Sequence, residues 1–261
     1  MLKLNGTPVT LGNFPDGTLL LKQLPGSEPE AVIDWRYESD NELFALYCLT
    51  RHLQKFGIKV SLFMPYIPNA RMDRVKVDED TFTLKYFAEI INSLSFTSVS
   101  VLDPHSSVSE ALIERIRIFR PDKYIRDVVA NINSDRLMMF YPDEGAMKRY
   151  CIVLNVPYAF GVKNRYWQTG AILNLEVLGE KDAINGADIL IVDDICSKGY
   201  TFYFAAKELK KLGARNIYLY VTHCEDNILK GEVLTCGWIE KVYTTDSICK
   251  VEHEKVEVLP L

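Results

Sequence analysis

Two adjacent carboxylates, Asp193 and Asp194, follow the apolar run Ile189–Val192. A ribose carries two neighbouring hydroxyls, and two adjacent carboxylates can accept hydrogen bonds from both, directly or through a magnesium ion. The alternative is that the two aspartates only cap a helix. We interpret the pair as the sugar-binding part of a sugar-phosphate site.

The turn after the two aspartates has the composition of a phosphate site. It contains Ser197, Lys198, Gly199, Tyr200 and Thr201, and a helical pattern follows it. Backbone N–H groups at the start of a helix, together with the positive end of the helix dipole, bind phosphate groups. Lys198 and Thr201 add a positive charge and a hydroxyl. The sequence therefore predicts that this turn holds the phosphate of the sugar.

The elements that position these residues alternate between apolar runs and amphipathic helices. This alternation predicts an α/β fold with mainly parallel sheets flanked by helices. Ligands bind beyond the carboxyl ends of parallel strands, which is where the two aspartates lie. The first helix is predicted to begin at Ser39, which has capping-box spacing to Glu42. The other predicted elements are strands at 58–65, 97–102, 136–142, 188–192 and 217–223, and helices at 84–94, 144–155 and 201–212.

The pattern of strands and helices is similar in the two halves of the chain. In each half a strand ends at a proline followed by basic residues, and a later strand ends in an acidic residue. We therefore predict two similar lobes, one at 1–125 and one at 126–261. The last segment is free to pack back on the first lobe.

Composition excludes several classes of protein. The chain has 261 residues, 48% hydrophobic content and a net charge of −5, which argues against a general binder of nucleic acid or of membrane surfaces. No apolar run approaches the roughly 20 residues that a membrane helix needs. The six cysteines lack metal-ligand spacing and indicate reduced thiols. We expect a cytoplasmic protein, in the host cytoplasm if a virus encodes it.

Several stretches of the sequence resemble one enzyme family. ILIVDDICSKGYT at 189–201 resembles the ribose-phosphate signature of the type I phosphoribosyltransferase fold. Further stretches are similar, in the same order, to motifs of the ribose-phosphate diphosphokinases (PRPP synthetases): FPDG at 14–17, MPYIPNARMDR at 64–74, LDPHS at 102–106, YPDEGAMKR at 141–149, VKNR at 162–165, THCE at 222–225 and TTDSI at 244–248. The resemblance covers roughly residues 14 to 258 and implies two lobes of type I phosphoribosyltransferase-like fold.

The resemblance implies a pyrophosphoryl transfer. Pyrophosphate would pass from ATP to the anomeric C1 hydroxyl of a ribose 5-phosphate unit, with release of AMP and with Mg²⁺ as cofactor. Such an enzyme must position two substrates and neutralise the charge that develops on the phosphoryl oxygens.

The ATP side of the reaction is assigned by the same resemblance. Arg71 and Arg74 suit the triphosphate because a guanidinium pairs with two oxygens at once, and Asp73 is placed to orient one of them. Solvated charges on a surface loop are the alternative. Phe14 and Asp16 match residues that contact the adenine bound by a neighbouring subunit, which implies a homo-oligomer with shared ATP sites.

The metal ligands and catalytic residues are assigned in the same way. His105 and Asp103 look like a ligand pair for the magnesium ion on ATP, with Asp143 as a further ligand. Lys163 and Arg165 match a mobile catalytic loop that stabilises the transition state, and His105 counts with them as catalytic. A structural histidine and an ordinary basic hairpin are the alternatives.

The sequence also departs from the family pattern. Tyr200 replaces a glycine of the phosphate turn, Lys198 adds a charge to it, and Thr18 stands where a glutamate is usual. A Gln-rich segment after LDPHS, much of the N-terminal segment and the closing helix of the family are missing. These changes leave two acceptors open. Ribose 5-phosphate is the first, and ADP-ribose, used by a compact phage-type branch that makes ADP-ribose pyrophosphate for NAD resynthesis, is the second. Tyr200 or Phe202 would stack on the base of ADP-ribose.

Two other classes of protein remain as alternatives. A phosphoribosyltransferase that consumes PRPP would share the Asp193–Asp194 turn, but it would not need Arg71, Arg74 and His105. An inactive regulatory subunit would have lost the basic loop and the metal-binding turn, whose residues are retained here.

Overall fold

The computed structural model describes residues 1–24, 26–165 and 172–261, with the backbone alone for 163–165 and 172–174. The chain forms two compact units, Met1–Arg120 and Pro121–Leu261. The division therefore falls just before residue 125, the boundary expected from the sequence. Pro121 directly precedes the first helix of the second unit, where a proline is well tolerated.

The first unit contains a six-stranded sheet and a separate two-stranded hairpin. Its strands in chain order are β1 Leu2–Leu4, β2 Thr7–Pro8, β3 Leu11–Asn13, β4 Leu19–Leu21, β5 Glu30–Trp35, β6 Lys59–Phe63, β7 Val99–Leu102 and β8 Ile116–Phe119. Its helices are α1 Asn41–Lys55, α2 Thr83–Ser93 and α3 Val108–Leu112. The sheet order is β2-β1-β5-β6-β7-β8, and the strands from β5 to β8 run parallel. Strands β3 and β4 form the hairpin.

Helix α1 begins two residues later than the sequence predicts, at Asn41. The predicted capping box between Ser39 and Glu42 is wrong because the Glu42 carboxylate has other partners. It accepts hydrogen bonds from the backbone N–H of Glu38 (2.9 Å) and from the indole N–H of Trp35 (3.0 Å). Trp35 is fully buried at the end of β5, so its indole N–H needs an acceptor inside the protein.

The second unit contains a seven-stranded sheet. Its strands in chain order are β9 Leu137–Tyr141, β10 Tyr158–Arg165, β11 Ile172–Gly179, β12 Asp188–Cys196, β13 Ile217–Cys224, β14 Lys241–Thr245 and β15 Val256–Leu259. Its helices are α4 Asp122–Ile132, α5 Glu144–Tyr150 and α6 Tyr200–Lys211, with short 3₁₀ helices at Lys181–Ala183 and Asp226–Lys230. The order is β11-β10-β9-β12-β13-β14-β15, and only β11 runs antiparallel to its neighbour. The last segment of the chain thus has a place in the second sheet, as β15.

Strand β12 lies inside this sheet with apolar side chains on both faces. Ile189 and Ile191 belong to the core that includes α6, and Leu190 and Val192 belong to the core that includes α4 and α5. A strand covered by helices on both sides reads as a continuous apolar run rather than an alternating one. This explains why the run that precedes the two aspartates has no polar member.

The helices differ from the predicted ranges mainly at their ends. Helix α5 ends at Tyr150, five residues before the predicted end, and α6 begins at Tyr200, one residue early. Helix ends are where sequence signals are weakest. All six cysteines are free thiols. Within the part of the chain that the structure describes, none of the helices has the length and apolar character needed to span a membrane.

Candidate functional site

Asp193 and Asp194 lie inside the last part of β12, not after it. The strand continues to Cys196 and pairs with β13 up to Cys224. Although side chains alternate across a strand, the side chains of Asp193 and Asp194 interact with each other at this strand end. Asp194 is buried and Asp193 is half-buried. The backbone N–H of Asp194 donates to the carboxylate of Asp193 at 3.0 Å.

A third carboxylate, Asp143, follows the neighbouring strand β9. Asp143 is the N-cap of α5, and its carboxylate accepts a hydrogen bond from the backbone N–H of Ala146 (3.0 Å). Strands β9 and β12 are parallel neighbours, so their carboxyl ends share one edge of the sheet. The sequence suggested Asp143 only by resemblance, and nothing in its own spacing places it beside the other two aspartates.

The electrostatics of this sheet edge are unfavourable for negative charge. The pKa of Asp193 is raised well above its ordinary value, first by burial and then by the charges of Asp194 and Asp143. Arg149 lies 3.8 Å from Asp194, between its guanidinium Nη1 and a carboxylate oxygen. Carboxylates held this close together are suited to bind a group that brings hydroxyl donors or positive charge.

The phosphate turn connects β12 to the first turn of α6. Gly199 is the N-cap of the helix and has a φ of +77°, a left-handed conformation that glycine adopts without strain. Its carbonyl accepts from the N–H groups of Phe202 and Tyr203 (2.9 and 3.0 Å). Within the described part of the chain, the N–H groups of residues 198–201 donate to no protein acceptor. Four such N–H groups at a helix start form an anion-binding arrangement.

The side chains of the turn differ from the expectation in two respects. Phe202 is only 2% exposed and belongs to the core, so its predicted stacking on a base is wrong. Tyr200 is 51% exposed at the first position of α6, and Lys198 is exposed as well. The Ser197 hydroxyl donates to the carboxylate of Glu225 at 2.5 Å, so it already has an acceptor within the protein.

In the first unit, Asp73 holds Arg74 in a two-point contact. The Nε and Nη2 groups of Arg74 donate to the two carboxylate oxygens of Asp73 at 2.6 and 2.9 Å. Asp73 is buried and its pKa is lowered to about 2, chiefly by this hydrogen bond, while the charge of His105 contributes a smaller part. Arg74 itself remains largely exposed, as does Arg71. The fork contact fixes the direction of the Arg74 guanidinium.

Asp103 and His105 follow the end of β7. Asp103 is buried and its backbone has a φ of +44°, which is uncommon for a residue other than glycine. Its N–H donates to the carbonyl of Phe119 in β8 at 2.9 Å, which holds this conformation in place. The influence of His105 on Asp73 shows that the LDPHS turn and the Asp73–Arg74 pair are near each other.

The described residues contain no group of three or more His, Cys, Asp or Glu side chains that could hold a metal ion. The predicted set of His105, Asp103 and Asp143 therefore stays a prediction. Magnesium fits the carboxylates, because it is commonly held by one or two carboxylates together with water and substrate phosphates. The imidazole of His105 fits it less well, since magnesium prefers oxygen ligands.

The FPDG stretch forms the turn of the β3–β4 hairpin. The Asp16 carboxylate accepts from the N–H of Thr18 (3.0 Å) and from its hydroxyl (2.7 Å), and these bonds lower the pKa of Asp16. The Phe14 side chain is 49% exposed at the same turn. Thr18, which stands where the family has a glutamate, thus has a local role in fixing the turn.

The predicted catalytic pair lies at the end of β10. The backbones of Lys163 and Arg165 belong to this strand, which pairs antiparallel with β11. Their side chains, and all of residues 166–171, lie outside the described residues. Their catalytic role stays a prediction.

The fold and the strand-end carboxylates define an α/β protein of two units, in which mainly parallel sheets are flanked by helices. A crystal structure of phosphoribosylpyrophosphate synthetase from Mycobacterium smegmatis matches the chain with a TM-score of 0.80, covering 97% of this chain and 86% of the other at 18% identity. This match confirms the predicted fold class.

Curated relatives make the resemblance more specific. Ribose-phosphate pyrophosphokinases from Pyrococcus abyssi and Thermococcus kodakarensis are 28% and 29% identical to this chain, each over 82% of its length and over 75% and 77% of their own. The one from Rhizobium meliloti is 28% identical over 92% of this chain and 79% of its own length. No protein-family model matches the chain. The predicted resemblance to the ribose-phosphate diphosphokinases, and with it the prediction of a diphosphokinase-type enzyme, is confirmed.

Proposed function

We propose that this protein transfers pyrophosphate from ATP to the C1 hydroxyl of ribose 5-phosphate, in a magnesium-dependent reaction that releases AMP and forms PRPP. The observation that supports this most is the end of β12: two carboxylates followed by four N–H groups, at residues 198–201, without protein acceptors in the described chain. This arrangement suits a ribose diol and a phosphate at adjacent positions. A cytoplasmic role in nucleotide synthesis would follow.

The acceptor side is served by the second unit. Asp193 and Asp194 would accept hydrogen bonds from the ribose hydroxyls and so fix the sugar ring. The N–H groups of the turn would bind the 5-phosphate, with Lys198 and Thr201 adding a positive charge and a hydroxyl. Fixing both ends of the acceptor leaves its C1 hydroxyl in one orientation, and such positioning accounts for a large share of the rate in phosphoryl transfer.

The ATP side is served by the first unit. Arg74, whose direction is set by Asp73, and Arg71 would bind the triphosphate oxygens. Phe14 and Asp16 would contact the adenine bound by a neighbouring copy, in a homo-oligomer with shared ATP sites. Lys163 and Arg165, which belong to the second unit, would stabilise the charge that develops on the transferred group.

The metal would be held by carboxylates of this chain. Asp103 and Asp143 are the candidates with the preferred oxygen ligands, and His105 is the third residue of the predicted set. When bound, magnesium supplies neutralisation of the negative charge on the ATP phosphates. The residues of the chain would orient the metal–nucleotide complex.

ADP-ribose is the second candidate acceptor, and the exposure of Tyr200 favours it. This ring is half-exposed beside the turn, at a position where the family pattern has a glycine. A large group attached to the phosphate would have an aromatic surface on which to stack. Buried Phe202 offers no such surface.

The test is AMP release from ATP and magnesium, with ribose 5-phosphate and ADP-ribose as parallel acceptors. Turnover with ribose 5-phosphate supports the first proposal, and turnover with ADP-ribose alone supports the second. Tyr200→Gly, which restores the family residue, should raise KM for ADP-ribose and leave KM for ribose 5-phosphate near that of the parent. If neither acceptor gives AMP release, both proposed pyrophosphoryl transfers are rejected, and the PRPP-consuming transferase and the inactive regulatory subunit remain.

A further inference from the structure

The segment from Glu225 to Val233 packs directly against the phosphate turn. The N–H of Glu225 donates to the carbonyl of Cys196, the last residue of β12, at 2.8 Å. The Glu225 carboxylate oxygen Oε2 accepts from the Ser197 hydroxyl at 2.5 Å and from the side-chain amide of Asn227 at 3.1 Å. One carboxylate thus connects the start of the turn to the 3₁₀ helix that follows β13.

The backbone of the same segment leaves no space behind the turn. A Cβ on Gly231 would lie 1.8 Å from the carbonyl oxygen of Lys198, so glycine is required there by contact. Gly231 has a φ of −105°, which any residue can adopt, so backbone conformation is not the reason. A Cβ on Gly199 would lie 2.3 Å from the side chain of Val233. The turn is therefore fixed by contact as well as by hydrogen bonds.

The position of Glu225 is unexpected for a phosphate site. A carboxylate close to a phosphate is repelled by it, so in the absence of another role this residue would weaken binding. Its hydrogen bonds indicate such a role. While the Ser197 hydroxyl donates to Glu225, its proton is not available to a phosphate, so Ser197 serves to connect the turn to Glu225.

We propose that Glu225 is a positioning residue, which holds residues 197–201 in the geometry that binds the acceptor phosphate. Glu225 acts through Ser197 and does not touch the substrate. The substrate part of this inference rests on the proposed function, whereas the packing of the turn does not.

The test compares Glu225→Ala with Glu225→Gln and with Glu254→Ala, an exposed glutamate of the same unit, as the control. Glu225→Ala removes the acceptor of a hydrogen bond to a charged group, so KM for ribose 5-phosphate should rise about tenfold or more. KM for ATP should stay within about twofold, because the change is confined to the acceptor side. Glu225→Gln keeps an acceptor oxygen and should recover most of the loss, and Glu254→Ala should match the parent.

A second readout needs no substrate. Hydrogen exchange of the amides at 198–201 in the ligand-free protein should be faster in Glu225→Ala than in the parent, with Glu225→Gln between them. Gly231→Ala, which acts on the same turn through its backbone, should raise KM for ribose 5-phosphate in the same direction. Unchanged exchange in Glu225→Ala, or faster exchange with an unchanged KM for ribose 5-phosphate, would overturn the proposal.

Failure of the proposed function gives a different result. If the parent protein turns over no acceptor, the proposed function is rejected, and calorimetric titration with inorganic phosphate takes the place of KM. Weaker phosphate binding by Glu225→Ala than by Glu225→Gln would then support the positioning role. Equal binding by the parent and both variants would overturn it.

Discussion

Asp193 carries its carboxylate where burial and two neighbouring carboxylates disfavour the charge. Its raised pKa means that the folded protein holds the proton more tightly than the unfolded chain. The associated stability is present at low pH and is lost as pH rises through the folded pKa. At neutral pH the ligand-free protein therefore has a site whose charge costs stability, as expected where binding and not folding sets the residue type.

Asp193→Asn should therefore stabilise the ligand-free protein and abolish its activity. Asparagine keeps the shape without the charge, and a gain of about 1 kcal/mol would raise Tm at pH 7.5 by about 2–4 °C. The gain should shrink as the pH is lowered toward the ordinary carboxyl value, where Asp193 is itself protonated. Thermal unfolding between pH 7.5 and 4 measures this, with exposed Asp182→Asn as the control. A lower Tm for Asp193→Asn at pH 7.5 would contradict the account.

Lys163 and Arg165 are predicted to act on the transition state and not on binding. Replacing either with alanine should lower kcat by about a hundredfold or more, the usual cost of losing one charge-stabilising contact. KM for both substrates should change much less, because ground-state contacts are kept. Steady-state kinetics measure this, with Lys181→Ala, an exposed lysine of the same unit, as the control. Losses within about tenfold would reject the assignment.

At the scale of elements, Arg215 connects the beginning of β12 to the loop between α6 and β13, in which it lies, and to the loop before β9. Its guanidinium donates to both oxygens of buried Asp188 (2.8 and 2.7 Å), and it also contacts Asp135 in the loop before β9. The hydrogen bond from Arg215 is the main reason why the pKa of Asp188 is lowered to about 2. This contact fixes the end of β12 opposite to the two site aspartates.

Arg215→Ala should destabilise the protein, because it leaves the Asp188 carboxylate buried without its charge partner. Half of the Arg215 side chain is exposed, so the loss is smaller than for a fully buried pair. Because the pKa of Asp188 is lowered, its charge contributes stability at pH values above the ordinary carboxyl pKa, and this contribution is lost as the pH falls toward 2. The difference in unfolding free energy between Arg215→Ala and the parent should therefore narrow below about pH 4. Urea unfolding measures it, with exposed Arg126→Ala as the control. A constant difference across pH would show that lost packing, and not charge, is responsible.

Strand β12 and helix α1 show how far sequence reasoning reaches at this scale. The apolar run before Asp193 identified a buried strand correctly, because burial on both faces leaves no polar member. Its end was misplaced, since ladder pairing with β13 extends the strand to Cys196 and spacing gives no sign of that. The start of α1 was misplaced because Glu42 bonds to Trp35, a tertiary contact that local capping rules do not contain.

At the scale of the whole chain, the alternation of strands and helices predicted the fold class, while contacts across the sequence decided the site. The hydrogen bond from Ser197 to Glu225 joins residues 28 positions apart, and the influence of Asp143 on Asp193 spans two strands. Neither leaves a local pattern that a single sequence displays. The resemblance supplied the type of chemistry, and the structure supplied the residues that hold the turn in place.

The proposal of shared ATP sites predicts complementation between two inactive variants. Phe14→Ala removes a residue that is proposed to serve a neighbouring copy, and Asp193→Asn removes the ribose contact of its own chain. In a mixed pair, one site has both Phe14 and Asp193 intact, so random pairing should restore about a quarter of the parent activity per site. The measurement unfolds and refolds the two variants together and compares the AMP formed with that from each refolded alone. Differently tagged copies of the two variants show whether mixed oligomers form. If mixed oligomers form but are no more active than the two separate variants, Phe14 serves its own subunit or none.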